Sequence, residues 1–107
     1  GGEPTAHPRE LERLAAFVKE QGLLVGIETN GYYPERLKKM IEMRILDKIF
    51  LDIKAPPGDK ERYRAITGGI RDAPEKVQET LNLRDVEIEV RTTVFPSFAS
   101  SIHDIAE

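Results

Sequence analysis

Two charged residues lie two positions apart at the end of a strongly apolar segment. Residues 49–51 are Ile-Phe-Leu, and Asp52 and Lys54 follow them. In a strand this spacing places both charged side chains on one face, and Pro56 and Pro57 must end the strand soon after Lys54. The pattern predicts a strand buried on both faces that presents a carboxylate beside an ammonium. An internal ion pair between the two is an equally simple interpretation.

Polar or charged residues occur at every predicted strand end. They are Gly1, Gly2, Glu3 and Pro4 at the start, Glu28, Thr29 and Asn30 after the next apolar segment, Asp52 and Lys54, and Arg91 with Thr92 and Thr93. In parallel α/β folds, ligands bind where the C-terminal ends of the strands meet. The recurrence of such residues therefore predicts one shared ligand site.

The chemistry of the first group suits an amine. Gly1 and Gly2 let the backbone approach a ligand closely and adopt positive φ. Pro4 favours an extended Glu3, so the Glu3 carboxylate and the neighbouring carbonyls could meet a cationic amine. We therefore expect this turn to bind the positive end of a ligand.

The remaining groups suit the negative end of the same ligand. Lys54 and Arg91 are candidates for binding a carboxylate, while Glu28 and Asp52 could balance those cations or hold a small metal ion. Uncharged donors and acceptors come from Thr29 and Asn30. A zwitterionic, amino-acid-like ligand would satisfy this mixture.

Helix and strand patterns alternate along the chain. Pro8 and Pro34 suit the first turns of two helices, and a third begins at the capping-box pattern Asp72-Ala73-Pro74-Glu75. The first helix should carry one apolar stripe, formed by Leu11, Leu14, Ala15 and Val18 at helical spacing. Apolar segments predict strands over residues 23–27, 49–54 and 86–94, and Ser101 begins a last helix. The spacing of roughly 30 residues per unit matches a (β/α)₈ barrel. We predict an α/β fold, a fragment of a partial TIM-type barrel with about four parallel strands and outer helices.

Composition excludes several classes of protein. The chain has 107 residues and a formal net charge of −3, with 16 basic and 19 acidic residues interspersed. The sequence has no cluster of basic residues of the kind that binds nucleic acid. It also has no apolar segment that would indicate a membrane span or a signal peptide. The absence of cysteine fits the reducing cytoplasm, where we expect the protein to act.

The ordered motifs together resemble the radical S-adenosylmethionine (SAM) superfamily. They are Gly-Gly-Glu-Pro at 1–4, Glu-Thr-Asn-Gly at 28–31, Leu-Asp-Ile-Lys-Ala-Pro at 51–56, Tyr63 with Thr67-Gly68, and Arg-Thr-Thr-Val at 91–94. Within that superfamily the set is most similar to activating enzymes of glycyl-radical enzymes. Anaerobic ribonucleotide reductase activating proteins resemble it most, and pyruvate formate-lyase activating enzymes are the near neighbours.

The resemblance implies SAM and a [4Fe–4S] cluster as cofactors. Gly1, Gly2, Glu3 and Pro4 would contact the methionine amino group, Thr29 and Asn30 would lie near the cofactor, and Lys54 and Arg91 would line its pocket. Glu28 and Asp52 would hold a monovalent cation. The reduced cluster would pass one electron to SAM, giving methionine and a 5′-deoxyadenosyl radical that takes a hydrogen atom from a glycine of the partner.

The resemblance also implies partners. The radical acceptor would be a glycyl-radical enzyme, anaerobic ribonucleotide reductase or one like pyruvate formate-lyase, and a flavodoxin or ferredoxin would donate the electron. No nucleic acid or membrane is expected to take part.

The sequence departs from the family at the cluster. The family places three cysteines in a Cys-x3-Cys-x2-Cys loop, and this chain has none. The chain also begins at Gly1 without methionine and ends at Glu107 inside a predicted helix. We expect residues 1–107 to be a single fragment of a radical SAM core domain, without the N-terminal cluster-binding strand and loop or the C-terminal strands. Such a fragment should be inactive by itself.

Two other functions fit part of the pattern. A (β/α)₈-barrel lyase could use Lys54 as the amine that forms a Schiff base, since a lysine at a strand end beside an acid can serve as a nucleophile. This interpretation leaves the Gly-Gly-Glu-Pro segment without a role. The chain could also belong to a degenerate, non-catalytic barrel module that only binds a partner.

Overall fold

Three parallel strands form the sheet around which the described residues of the computed structural model are arranged; these are residues 2–54, 57–62 and 72–92. The strands β1 (Gly26–Thr29), β2 (Lys48–Asp52) and β3 (Glu87–Arg91) lie side by side in chain order. They alternate with helices α1 (Pro8–Glu20), α2 (Pro34–Glu42) and α3 (Ala73–Leu81), and a 3₁₀ turn (Pro4–Ala6) precedes α1.

This alternation confirms the predicted α/β fold, an open arc of a partial (β/α) barrel. One of the roughly four predicted strands was inferred from a strand end at residues 1–4. The described residues contain the other three strands. Several predicted features lie outside the described residues: Gly1, Tyr63, the Thr67-Gly68 turn, Thr93 and Val94, and the helix from Ser101.

The hydrophobic core lies between the helices and one face of the sheet. Ile49 and Leu51 of β2 are fully buried, as are Leu37 of α2 and Val77 of α3, and Met40 is almost so. These residues follow the periods of 2 and 3.6 that place side chains on one face of a strand or a helix. The apolar stripes of the helices thus fix which strand residues point away from them.

The opposite face of the sheet carries polar and charged side chains. Lys48, Phe50 and Asp52 alternate with the buried residues of β2 and are only partly covered, so the prediction that this strand is buried on both faces is wrong for the described residues. Glu28 of β1 and Arg91 of β3 belong to the same face because they are in register with Phe50 and Asp52, respectively. We call this surface the inner face.

Three local predictions need correction. The first strand begins at Gly26 rather than at residue 23, and Leu24 is 80% exposed. Leu14, expected in the apolar stripe of α1, is largely exposed as well. Asp72 does occupy the N-cap of α3, but its side chain makes no capping hydrogen bond. No helix within the described ranges combines the length and apolarity that crossing a membrane requires.

Asp47 explains why β1 begins where it does. Its Oδ2 accepts a hydrogen bond from the Val25 backbone N–H at 2.7 Å, and the Lys19 ammonium lies 3.1 Å from the same oxygen. The Val25 carbonyl accepts in turn from the backbone N–H groups of Asp47 and Lys48. The Val25 hydrogen bond, with a smaller contribution from Lys19, lowers the pKa of the Asp47 carboxyl.

Replacing Asp47 should therefore weaken the fold in a pH-dependent way. We expect Asp47→Ala to lower the free energy of unfolding of the intact protein by about 1.5–3 kcal/mol at pH 7, the usual cost of losing a charged acceptor. Because the folded-state pKa is lowered, the carboxylate stabilises the fold above its ordinary pKa of 3.8, and this contribution disappears as the pH falls through the lowered value.

Urea unfolding at a series of pH values measures this difference. Glu20→Gln, which changes an exposed carboxylate on α1, is the matched control and should behave like wild type. A difference between Asp47→Ala and wild type that stays constant down to pH 2 would contradict the assignment.

Candidate functional site

A cleft of about 610 Å³ opens at the C-terminal end of β1. Seven of the residues predicted for the site line it, namely Gly2, Glu3, Pro4, Glu28, Thr29, Asn30 and Asp52. Leu11, Gly26 and Ile27 complete the wall. None of the three was predicted as a site residue; Leu11 was expected in the apolar stripe of α1 and Ile27 in the strand over residues 23–27. The structure thus brings the opening turn of the chain and the ends of two strands to one cavity.

The Glu3 carboxylate joins the opening turn to the end of β1. Its Oε2 accepts from the Thr5 backbone N–H at 2.9 Å, from the Thr5 hydroxyl, and from the Thr29 hydroxyl at 2.8 Å. Its Oε1 accepts from the Asn30 backbone N–H at 2.7 Å. This carboxylate therefore already accepts from four donors within the protein, and the expectation that it also meets an amine stays a prediction. The neighbouring backbone carbonyls remain candidates for that contact as well.

The loop after β1 is held from both sides. Gly31 has a φ of +76°, its N–H donates to the Thr29 hydroxyl at 3.2 Å, and its carbonyl accepts from the Thr80 hydroxyl of α3 at 2.8 Å. The Asn30 side-chain oxygen accepts from the Tyr32 N–H at 3.0 Å. The amide nitrogen of Asn30 is then the part of that side chain left to donate to a ligand in the cleft.

Arg36 of α2 holds the opening turn from another direction. Its guanidinium donates to the Thr5 carbonyl at 2.6 Å and stacks on the Tyr33 ring, 4.2 Å from the ring centre. Thr5 itself is fully buried. Thr5 and Arg36 were not predicted as site residues, because hydrogen bonds between distant segments leave no periodic signal in the sequence.

Asp52 and Lys54 contact each other, as their spacing predicts. The Lys54 ammonium binds Asp52 Oδ2, whereas Asp52 Oδ1 is buried and has no hydrogen-bond partner in the described part of the chain. A buried carboxylate oxygen without a donor is costly, so this atom is a candidate for binding a cation or a ligand donor. Lys54 does not line the 610 Å³ cleft and adjoins it only through Asp52.

Arg91 reaches across the sheet to Glu28. Its guanidinium passes over the Phe50 ring at 4.2 Å, lies 3.0 Å from Glu28 Oε1 and also contacts Glu89 at 3.1 Å. The Glu28 and Arg91 side chains are 78% and 52% exposed, and exposed ion pairs contribute little to stability. The Arg91 guanidinium can therefore leave Glu28 and bind a ligand at little energetic cost.

A second pocket of about 330 Å³ adjoins the cleft. Glu28, Phe50, Asp52, Arg91 and Thr92 line it, so Glu28 and Asp52 belong to both cavities. The predicted convergence of strand ends is thus found in two connected parts. Glu3 and Thr29 face the cleft, and Arg91 faces the adjoining pocket.

Charge pairs continue along the inner face away from the cleft. The Lys48 ammonium lies 3.2 Å from Glu87 and 3.4 Å from Glu89, and 4.8 Å from the centre of the Phe50 ring. The Glu87 carboxylate, followed by that of Glu89, raises the pKa of Lys48. The hydrogen bonds from Arg91 and then Lys48 lower the pKa of Glu89. Phe50 is thus flanked by two cations that carboxylates neutralise.

The residues present do not fit an iron–sulfur cluster. The chain contains no cysteine, and in the ranges that the structure describes no group of three or more His, Asp or Glu could hold a metal ion. The cleft instead offers groups for an organic ligand, namely the backbone at Gly2, the side-chain amide of Asn30 and the Asp52 oxygen that has no donor among the described residues.

Comparison with known proteins identifies the family. Residues 1–104 match the family described as the radical SAM superfamily. The chain belongs to the radical SAM superfamily. The resemblance stated from the motifs is confirmed.

Curated relatives narrow the resemblance within the superfamily. A protein of Methanocaldococcus jannaschii that carries the name glycyl-radical enzyme activating enzyme is 30% identical over the whole chain, which covers 47% of that relative. A pyruvate formate-lyase-activating enzyme of Clostridium pasteurianum is 32% identical over 98% of the chain and is covered to 42%. The chain therefore spans less than half the length of the relatives that it matches.

Hydrogen exchange can test the hydrogen bonds by which Glu3 holds the end of β1. Glu3→Ala removes both acceptor oxygens, so the hydrogen bonds from the Asn30 N–H and from the Thr29 hydroxyl are lost. We expect the Asn30 amide of the intact protein to exchange about tenfold faster, which corresponds to one hydrogen bond.

Mass spectrometry of the peptide that contains residues 28–32 measures this change. Glu10→Ala removes an exposed carboxylate on α1 and should leave the exchange of that peptide as in wild type. Unchanged exchange in Glu3→Ala would show that the carboxylate does not hold the end of β1.

Proposed function

We propose that the chain is the SAM-binding part of an activating enzyme for a glycyl-radical enzyme. The observation that carries this proposal is the single cleft shared by the Gly2–Pro4 turn, the end of β1 and Asp52, in a chain of the radical SAM superfamily. One-electron cleavage of SAM and hydrogen-atom abstraction from a partner glycine would be the chemistry of SAM and of a [4Fe–4S] cluster, for which this chain has no cysteine ligands. The protein supplies position and charge.

The two ends of the methionine moiety of SAM would bind to different parts of the site. The backbone carbonyls of the Gly2–Glu3 segment accept from its amino group, and the Asn30 amide donates to its carboxylate. Arg91 binds the same carboxylate after leaving Glu28, an exchange that the exposure of this ion pair permits. Lys54 adds positive charge at the edge of the cleft through its contact with Asp52.

Glu28 and Asp52 would hold a monovalent cation beside the bound ligand. They line both cavities, and Asp52 Oδ1 is buried without a donor among the described residues. When Arg91 leaves Glu28 for the ligand carboxylate, the Glu28 carboxylate would lose its cation, and a monovalent cation bound beside Glu28 and Asp52 would replace that charge. This arrangement explains how an acidic pair can coexist with an anionic ligand group.

The remaining parts of the reaction lie beyond residues 1–107 under this proposal. The cluster cysteines would belong to another part of the intact protein, so the 107-residue chain alone should not cleave SAM. The partner would be anaerobic ribonucleotide reductase, or an enzyme like pyruvate formate-lyase, and the electron donor a flavodoxin or ferredoxin. The intact protein would act in the cytoplasm together with these partners.

The lyase alternative gains no support from the site. A Schiff-base lysine must reach the carbonyl of its substrate, whereas Lys54 lines neither the 610 Å³ cleft nor the adjoining pocket. Borohydride treatment of the intact protein with a carbonyl substrate would trap an adduct at Lys54 if that mechanism operated. Under our proposal no such adduct forms.

The main test uses the intact protein purified without oxygen. Iron and sulfide content should correspond to a [4Fe–4S] cluster, and addition of dithionite and SAM should yield 5′-deoxyadenosine and methionine. The 107-residue chain serves as the matched negative control. Absence of SAM cleavage by the intact protein with a full cluster, or robust cleavage by the 107-residue chain, would overturn the proposal.

The cation site makes a separate prediction. The intact protein should bind SAM roughly fivefold more tightly in potassium chloride than in choline chloride of the same ionic strength, as one additional charge contact in a hydrated cleft would give. Asp52→Asn should abolish most of this difference. Glu79→Gln, which changes an exposed carboxylate on α3, should retain it.

Equilibrium dialysis with labelled SAM measures these affinities. An equal potassium effect in wild type and Asp52→Asn would exclude Asp52 as a cation ligand, while leaving SAM binding itself established.

A further inference from the structure

Thr80 makes a long-range contact outside the residues assigned to SAM binding. It lies in the last turn of α3, is fully buried and donates its hydroxyl hydrogen to the Gly31 carbonyl at 2.8 Å, across 49 positions of sequence. A helical threonine commonly satisfies its hydroxyl on a carbonyl of the preceding turn. This hydroxyl instead leaves its helix and binds the loop that follows β1.

The Gly31 loop is in close contact with both α3 and β2. A Cβ atom at Gly31 would lie 2.5 Å from Leu51 Cδ1 and 3.5 Å from the Thr80 side chain, and the φ of +76° also favours glycine. Gly31 is itself buried. Its carbonyl therefore has little access to water, and loss of the Thr80 hydroxyl would leave that oxygen without a donor.

Hydrogen bonds continue from this contact to the cleft. The Gly31 N–H donates to the Thr29 hydroxyl, which donates to Glu3 Oε2, and the Asn30 N–H donates to Glu3 Oε1. Three of these residues, Glu3, Thr29 and Asn30, line the 610 Å³ cleft. Thr80 does not line it and acts only through this series.

We propose that Thr80 is a positioning residue for the SAM site. Through Gly31 it holds the Thr29–Asn30 segment and, through Glu3, the opening turn in the arrangement that receives the ligand. The inference deepens the proposed function and depends on it for the identity of the ligand. The hydrogen bond itself can be tested without any ligand.

The experiment compares three substitutions of Thr80 in the intact protein. Thr80→Val keeps the shape and removes the hydroxyl, Thr80→Ala removes the hydroxyl and the methyl group, and Thr80→Ser keeps the hydroxyl alone. We expect the Val and Ala variants to bind SAM about tenfold more weakly, as loss of one buried hydrogen bond in a preorganised site gives. Thr80→Ser should bind it within about twofold of wild type.

A stability control separates positioning from general weakening of α3. Val77 is as buried as Thr80 and lies one turn earlier on the same helix, so Val77→Ala should lower the unfolding midpoint at least as much as Thr80→Ala does. Its affinity for SAM should nevertheless stay near that of wild type. Hydrogen exchange of the Asn30 and Gly31 amides should rise in Thr80→Val and Thr80→Ala but not in Thr80→Ser or Val77→Ala.

Each outcome has a definite meaning. Equal SAM affinity and equal loop exchange in wild type, Thr80→Val and Thr80→Ala would overturn the inference, as would a loss of affinity in Val77→Ala as large as in Thr80→Ala. If the wild-type protein fails to bind SAM, the proposed function fails instead, and the exchange measurement still decides whether Thr80 positions the loop. Comparison of Ala with Ser keeps the test decisive should Thr80→Val fail to fold.

Discussion

The Glu3 carboxylate is the contact on which the site depends. It joins the opening turn to the end of β1 by accepting hydrogen bonds from Thr29 and from Asn30, residues 26 and 27 positions away. It also accepts from Thr5 within its own turn. A carboxylate can accept several donors at once, so one side chain fixes both walls of the cleft. The negative charge of Glu3 therefore serves to hold the two segments that form the cleft.

Much of the fold could be predicted from the sequence because local rules decide it. Prolines at 34 and 74 occupy the first turns of α2 and α3, and β2 ends at Asp52, which forms the predicted ion pair with Lys54 two residues later. The apolar segment at residues 23–25 misled the prediction of β1, since pairing begins only at Gly26, next to the Asp47 contact with Val25. Apolar character indicates where burial is favourable, whereas a side chain 22 positions away in sequence fixes where pairing starts.

The site was predictable as a set of residues but not as a set of contacts. The polar strand ends correctly indicated that Glu28, Asp52 and Arg91 share one edge of the sheet. The contacts from Thr80 to Gly31 and from Arg36 to Thr5 could not be predicted, because they join side chains to backbone carbonyls of distant segments. Neither residue type nor spacing in the sequence indicates that such a side chain and carbonyl will meet. The packing of the helices against the sheet brings them together.

Buried hydrogen bonds and exposed ion pairs have different roles in the site. Buried hydrogen bonds with well-placed donors, such as that of Thr80, cannot exchange with water and so fix the backbone around the cleft. Exposed ion pairs, such as Arg91 with Glu28, are screened by solvent and exchange partners at small cost. A ligand with separated charges would therefore meet a rigid frame at its amine end and replaceable charges at its carboxylate end. Changes to the frame should alter geometry, and changes to the ion pairs should alter the dependence of binding on salt.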